Sequence, residues 1–160
     1  WRSLRRLGVY EANIDDAVQN VFLTIARRLD EVTPEKLRSF VFGVAVRVAA
    51  NERRSQRRRG YGEPLEDHAI VDGAPSHEAA LDTKRARALL DQVLDALPDD
   101  LRTVFVLHEF ESLTAVEISE CVGIPVGTVA SRLRRARETL EAEIHRVRAR
   151  MAFCGAGGAR

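Results

Sequence analysis

The chain is poor in the residues that mark secreted, metal-binding or membrane proteins. Of its 160 residues only Cys121 and Cys154 are cysteine. They are too far apart in sequence for a disulfide framework and lack zinc spacing. Cys121 falls at a core position and Cys154 in a glycine-rich tail. The four histidines, His68, His77, His108 and His145, are scattered, with no metal-ligand spacing between them. His108-Glu109 lacks the second histidine of a zinc-protease helix, and there is neither a phosphate-binding glycine loop nor a nucleophile elbow. No catalytic residue, cofactor, metal or small-molecule substrate is therefore expected. No apolar run is long enough to span a bilayer and no signal peptide is visible, so direct membrane insertion is not expected and the cytoplasm is the expected compartment. Strand periodicity is absent, and aromatics make up only 6%. A formal net charge of +1 does not announce a polyanionic partner.

What the chain does have is helical periodicity and a hydrophobic fraction of 45%, enough for real cores. Residues 1–7 look like the tail of a helix ending at Gly8. Asn13 can cap a helix whose apolar stripe is Ile14, Ala17, Val18, Val21, Phe22, Ile25 and Leu29. Thr33-Pro34-Glu35 combines a cap, an N1 proline and a first-turn acid. A long helix should follow to about Arg59, with Leu37, Phe40, Val41, Val44, Ala45 and Val48 inward. Residues 60–76 are rich in glycine, proline and acids and read as a flexible acidic linker. Helix resumes near His77, and Pro98-Asp99-Asp100 starts another whose Leu101, Val104, Phe105 and Leu107 pack inward. Residues 151–160 read as a disordered tail. The expected fold is all-α, with two small helical domains, 1–59 and 77–150. The second is a four-helix domain containing a helix-turn-helix.

The most informative stretch runs from Leu113 to Arg137. Thr114 and Glu117 have capping-box spacing, Gly123 stands where a left-handed helix end is needed, and Pro125 opens the next helix. Val126, Val129, Leu133, Ala136 and Leu140 mark the buried stripe of that helix. Gly127, Thr128, Ala130 and Ser131 leave its start slender, and Arg132, Arg134, Arg135 and Arg137 follow. Small residues let a helix enter a groove, and arginines reach phosphates or guanine edges. A second basic run, Arg47 to Arg59, carries Asn51 and Gln56 as amides able to meet bases. Its alternative explanation is a helix C-terminus whose arginines complement the dipole, which accounts for only part of so dense a run. Two basic patches separated by an acidic stretch suggest two contacts on one polyanion.

With both halves read, the chain resembles the extracytoplasmic-function (ECF) sigma factors, the minimal two-domain bacterial type, over nearly all of residues 1–144. DDAVQNVFLTIARRL resembles the family's polymerase-docking segment, and RSFVFGVAVRVAANERRSQRRR its helix that melts and reads the downstream promoter box. LPDDLRTVFVLHEF through IPVGTVASRLRRARETL resembles the domain that reads the upstream box. The resemblance implies polymerase binding by Asp16, Gln19 and Phe22 and downstream-box contacts by Arg47, Asn51, Arg53 and Arg54. It assigns upstream-box contacts to Thr128, Ser131, Arg132, Arg134 and Arg135. It also implies core RNA polymerase, promoter DNA and an anti-sigma factor as partners. Ala130 stands where lysine or arginine is usual, His108 where a DNA-contacting arginine is frequent, and Phe40 where tryptophan is common. The family's first helix lies mostly upstream of Trp1, so the start is expected to be truncated. Acids of the linker, Glu63, Glu66 and Asp67, would thread toward the RNA exit path. The rival reading is a stand-alone helix-turn-helix regulator binding operator DNA without polymerase, usually as a symmetric dimer. It leaves Asp16 and Gln19 without a role. A more distant rival, a helical scaffold, predicts no effect of Arg134→Ala and Arg135→Ala.

Overall fold

The computed structural model describes residues 1–59 and 77–156, with side chains described for 1–59 and 86–150. The expected linker and the residues beyond 156 lie outside the described residues. Seven α-helices make up the described chain: α1 (Arg2–Arg6), α2 (Ile14–Ala26), α3 (Leu37–Arg58), α4 (His77–Asp95), α5 (Asp99–Glu109), α6 (Ala115–Val122) and α7 (Val126–Ala156). No strand occurs among the described residues, as expected. Short 3₁₀ turns at Glu11–Asn13, Leu29–Glu31 and Pro34–Lys36 connect or precede the helices.

Local chemistry explains most helix boundaries. Asn13 does stand at the N-cap of α2, but its side chain makes no capping bond; Asp15 and Asp16 in the first turn complement the dipole. Pro34 opens a single 3₁₀ turn, and α3 starts only at Leu37. Helix α7 runs on to Ala156, so the start of the stretch read as a disordered tail is helical.

Burial corrects several expected core positions. Ile14, Ala17 and Val21 are buried as expected, and Val18 and Ile25 pack against them. Phe22 is 67% exposed, because it lies one helical step, about 100°, beyond Val21 on a narrow stripe. Leu29 falls after the end of α2, and Leu37 is the first residue of α3; both are exposed. Val126, at the first position of α7, is exposed too, whereas Val129, Leu133, Ala136 and Leu140 are buried. Val106, absent from the expected core, is fully buried beside Leu107.

The two helical halves share one apolar cluster. Leu4, Leu7, Val9, Val44 and Ala49 from the first half are continuous with Leu94, Leu101, Val104, Leu107 and Ile118 from the second. Helix α3 packs against α6 as well as against α2. Close approach there depends on small residues. A Cβ on buried Gly43 would lie 3.4 Å from the Cys121 carbonyl oxygen, and the Cys121 thiol donates to the Ser39 carbonyl at 3.1 Å. Burial pushes the Cys121 thiol up to about 11, so it packs as a neutral apolar group.

Arginines are anchored on backbone carbonyls, Arg102 and Arg38 between the halves and Arg53 within the first. Helix α1 ends in Gly8 at φ +90°, and the carbonyls of its last residues have no helical partner of their own. The buried Arg102 of α5 donates to Arg6 O at 2.6 Å and also pairs with Asp95. The buried Arg53 of α3 donates to Leu7 O. A Cβ on Gly8 would meet Arg53 Cδ at 3.0 Å and Arg102 Cζ at 3.3 Å, so glycine is required there both for its backbone conformation and for space. At the other end of the seam Arg38 donates to the carbonyls of Glu111 and Ser112 and pairs with Glu117 at 3.5 Å.

Candidate nucleic-acid interface

The helix-turn-helix forms as its local sequence dictates. Thr114 Oγ1 accepts from Glu117 N–H at 3.3 Å, and Glu117 Oε2 accepts from Thr114 N–H at 2.7 Å, completing the capping box. That bonding holds the Glu117 carboxyl below its ordinary value. Gly123 closes α6 at φ +73°. Ser119, which had no expected role, donates its hydroxyl to Ile124 O at 2.6 Å and pins the turn. Pro125 O then accepts from Thr128 N–H at 2.9 Å and Val129 N–H at 3.1 Å, starting α7.

The outward face of α7 carries the expected reading residues. Gly127 has open space where a Cβ would stand, so the helix start offers a low surface. Thr128 is half-buried and Ser131 exposed, its hydroxyl turned back to Thr128 O at 2.9 Å. Arg134 is exposed and pairs with Glu138 at 2.7 Å, one turn along. Arg135 is exposed, with no carboxylate partner among the described residues. Arg132 is half-buried and lies 3.3 Å from Asp100. Arg137 donates two bonds to Glu109, holding that carboxyl below its ordinary value. His108 stands beside Glu109, its Nδ1 3.3 Å from Glu109 Oε1.

The four downstream-box residues separate into two groups. Arg47, Asn51 and Arg54 are exposed, and at about 100° per residue they fall on one stripe of α3. Arg53 is off that stripe. It is 8% exposed, bonded to Leu7 O and 3.3 Å from Asp99, and burial lowers its pKa. The expectation of an exposed contact at Arg53 is therefore not met in this arrangement. Gln56 likewise turns inward, 5% exposed, because it shares the inward phase of Ala49. Helical phase relative to Val46 and Ala49 was the available signal for both.

Asp16, Gln19 and Phe22 share an exposed face of α2. Leu23 is 47% exposed beside them, an apolar neighbour that sequence reasoning did not single out. With the neighbouring exposed Asp15, two carboxylates, an amide and two solvent-facing apolar side chains form a surface suited to a protein partner rather than to DNA.

Among the described residues no group of histidine, cysteine and carboxylates could hold a metal ion. No described helix is long and apolar enough to cross a membrane.

Comparison with known proteins accounts for this pairing of surfaces. Residues 1–59 match the model of sigma-70 region 2, and residues 87–140 match that of sigma-70, region 4. The ECF RNA polymerase sigma-E factor of Haemophilus influenzae is 32% identical over 142 residues, covering 82% of this chain and 75% of that protein. The RNA polymerase sigma-H factor of Pseudomonas aeruginosa is 32% identical over 136 residues, covering 79% and 70%. Among solved structures, the sigma factor RpoE in complex with the anti-sigma factor NepR from Bartonella quintana matches with a TM-score of 0.67 at 17% identity. That match covers 90% of this chain and 88% of RpoE. CnrH, solved in complex with the cytosolic domain of CnrY, matches with a TM-score of 0.64 at 23% identity, covering 89% and 78%. With both sigma regions present in order, and a helix-turn-helix built on α6 and α7, the chain belongs to the ECF family of RNA polymerase sigma factors.

Proposed function

We propose that this sigma initiation factor docks on core RNA polymerase through Asp16, Gln19 and Phe22 and directs it to promoters through its two basic helices. The observation that carries the reading is the exposed Phe22 beside two carboxylates on α2. A large aromatic is costly to leave in water and marks a contact, and a stand-alone regulator would give that face nothing to bind.

In this reading Thr128, Ser131, Arg132, Arg134 and Arg135 meet the upstream box. A bidentate arginine–guanine pair there supplies about 1–3 kcal/mol of discrimination. Arg47, Asn51 and Arg54 hold the downstream box, with Arg54 and Arg47 on phosphate and Asn51 able to pair with an unstacked base. Arg53, buried and bonded to Leu7 O, supports that stripe from beneath rather than touching DNA. The factor acts by positioning, without catalysis of its own, and works in the cytoplasm. An anti-sigma partner is in keeping with RpoE and CnrH, both solved with a partner bound.

The test is capture of the chain by sigma-free core RNA polymerase, comparing wild type with Asp16→Ala/Gln19→Ala/Phe22→Ala. Stoichiometric capture lost by the triple variant is the expected result. Equal capture of a well-folded triple variant would refute the α2 docking face.

A further inference from the structure

Helix α5 opens on two consecutive acids, Asp99 and Asp100. Acids in a first turn complement the helix dipole, but neither side chain caps α5. They reach away in two directions instead. Asp99 Oδ2 accepts from Arg57 at 2.6 Å, and Asp99 Oδ1 stands 3.3 Å from Arg53 Nε. Asp100 Oδ2 stands 3.3 Å from Arg132 Nε. Arg53 and Arg57 belong to α3, and Arg132 to α7. All five groups line one cleft of about 310 Å³, whose wall also includes Arg54.

Other polar ties cross the seam elsewhere. Arg38 and Arg102 are held by backbone carbonyls, and Arg5 and Arg6 of α1 reach Asp91 and Glu111. None of these engages the end of α3 or Arg132, and on α7 Arg137 is held separately by Glu109 of α5. Asp99 engages the end of α3, and Asp100 engages Arg132.

We propose that Asp99, holding the end of α3 against α5, and Asp100, covering Arg132 of α7, form an electrostatic latch that keeps DNA phosphate from Arg57 and Arg132 at the inner edges of the two basic faces. The proposal rests on the assignment of those faces to DNA. Phosphate and carboxylate compete for the same guanidinium groups with the same geometry, so promoter DNA can engage Arg132 and the end of α3 only by displacing the acids. Each pair is at least partly exposed on one side, so each is weak alone and screened by salt. Together they bias the free chain toward a closed form, and the apparent DNA affinity falls by the fraction that is open.

The native thiol provides the readout. Cys121 faces Ser39 of α3 across the seam, so its alkylation rate in a Cys154→Ser background reports opening of the full chain. DNA affinity is read in parallel by anisotropy on a labelled duplex at low and high salt. Asp99→Asn/Asp100→Asn is expected to speed alkylation roughly three- to tenfold and to tighten duplex binding by a similar factor at low salt, the difference shrinking as salt rises. Asp30→Asn/Glu141→Gln changes net charge equally and should give neither effect in full. Arg57→Ala, which leaves α5 untouched and removes a positive charge, should also speed alkylation; it carries the test if the double variant melts early. Unchanged alkylation in folded variants would overturn the latch, as would equal DNA tightening by the two charge-matched double variants. Faster alkylation with no duplex binding by any variant would instead refute the DNA faces and leave the closure to the acids.

Discussion

The basic ends of α3 and α7 are alike in sequence and unlike in structure. Both carry arginines at high density, yet α7 keeps Arg134, Arg135 and Arg137 exposed while α3 buries Arg53 and leaves Arg47 and Arg54 outside. The difference lies in what surrounds each helix. Helix α3 is packed by α1 and α2 on one side and α5 and α6 on another, so only a narrow stripe faces water. Helix α7 has one buried stripe, from Val129 through Leu140 to Val147, and a broad free face. The same side chain becomes a buried strut in one setting and a solvent-facing group in the other. Charge density alone does not distinguish them; phase relative to the core does.

The strongest way to break the comparison is to remove the strut. Arg53→Ala leaves Leu7 O and Asp99 short of a charged donor and empties space beside Gly8. It should cost about 2–4 kcal/mol in chemical denaturation. Arg135→Ala should shift stability by less than about 0.5 kcal/mol. If the two variants melt together, the division between strut and contact is wrong.

DNA binding should reverse that order. Arg134→Ala/Arg135→Ala should weaken promoter binding by the holoenzyme by about 1–3 kcal/mol, measured by titration at fixed salt, with the melting curve unmoved. Gly8→Ala sharpens the α3 side without altering any charge: its Cβ would press on Arg53 Cδ at a φ of +90°. About 1–3 kcal/mol of destabilisation is expected, with DNA contacts on α7 unaffected.

The smallest effect concerns the orientation of α6 beneath α7. Thr114→Ala removes the cap and should cost about 1 kcal/mol near neutral pH. The Glu117 carboxyl is held below its ordinary value of 4.5 by Thr114. Its contribution is therefore complete above pH 4.5 and is lost as pH falls through the lower folded value. The gap between wild type and Thr114→Ala should narrow on acidification. A constant gap would mean that the Thr114 hydroxyl bond to the Glu117 carboxylate contributes nothing, since the backbone N–H bond to that carboxylate survives in the alanine variant.

Legibility followed the range of the interactions. The capping box at Thr114, the left-handed Gly123 and the start of α7 at Pro125 each depend on residues within a few positions, and all three stand where they were expected. The exposed stripe Arg47–Asn51–Arg54 is half legible: charge and amide content mark the basic run, but only helical phase relative to Val46 and Ala49 separates Arg53 and Gln56 from it. Phe22 suits both an apolar stripe and a docking face in the sequence, and only its exposure in the fold decides between them. Arg102, Arg38 and Ser119 gave no signal of their own, since an arginine or serine on a helix is ordinary until its acceptor is known.

By itself, then, the sequence determined the all-α class, the order of the helices, the helix-turn-helix and the two basic runs, because periodicity, caps and turn residues act over one or two helical turns. Tertiary structure decided the rest. It joined two expected domains through one apolar cluster, turned Arg53 and Arg102 onto the carbonyls at the end of α1, and set Asp99 and Asp100 between α3 and α7. These contacts bring together residues 32 to 96 positions apart. Their energy depends on which buried surfaces meet, and no local window of sequence contains that choice.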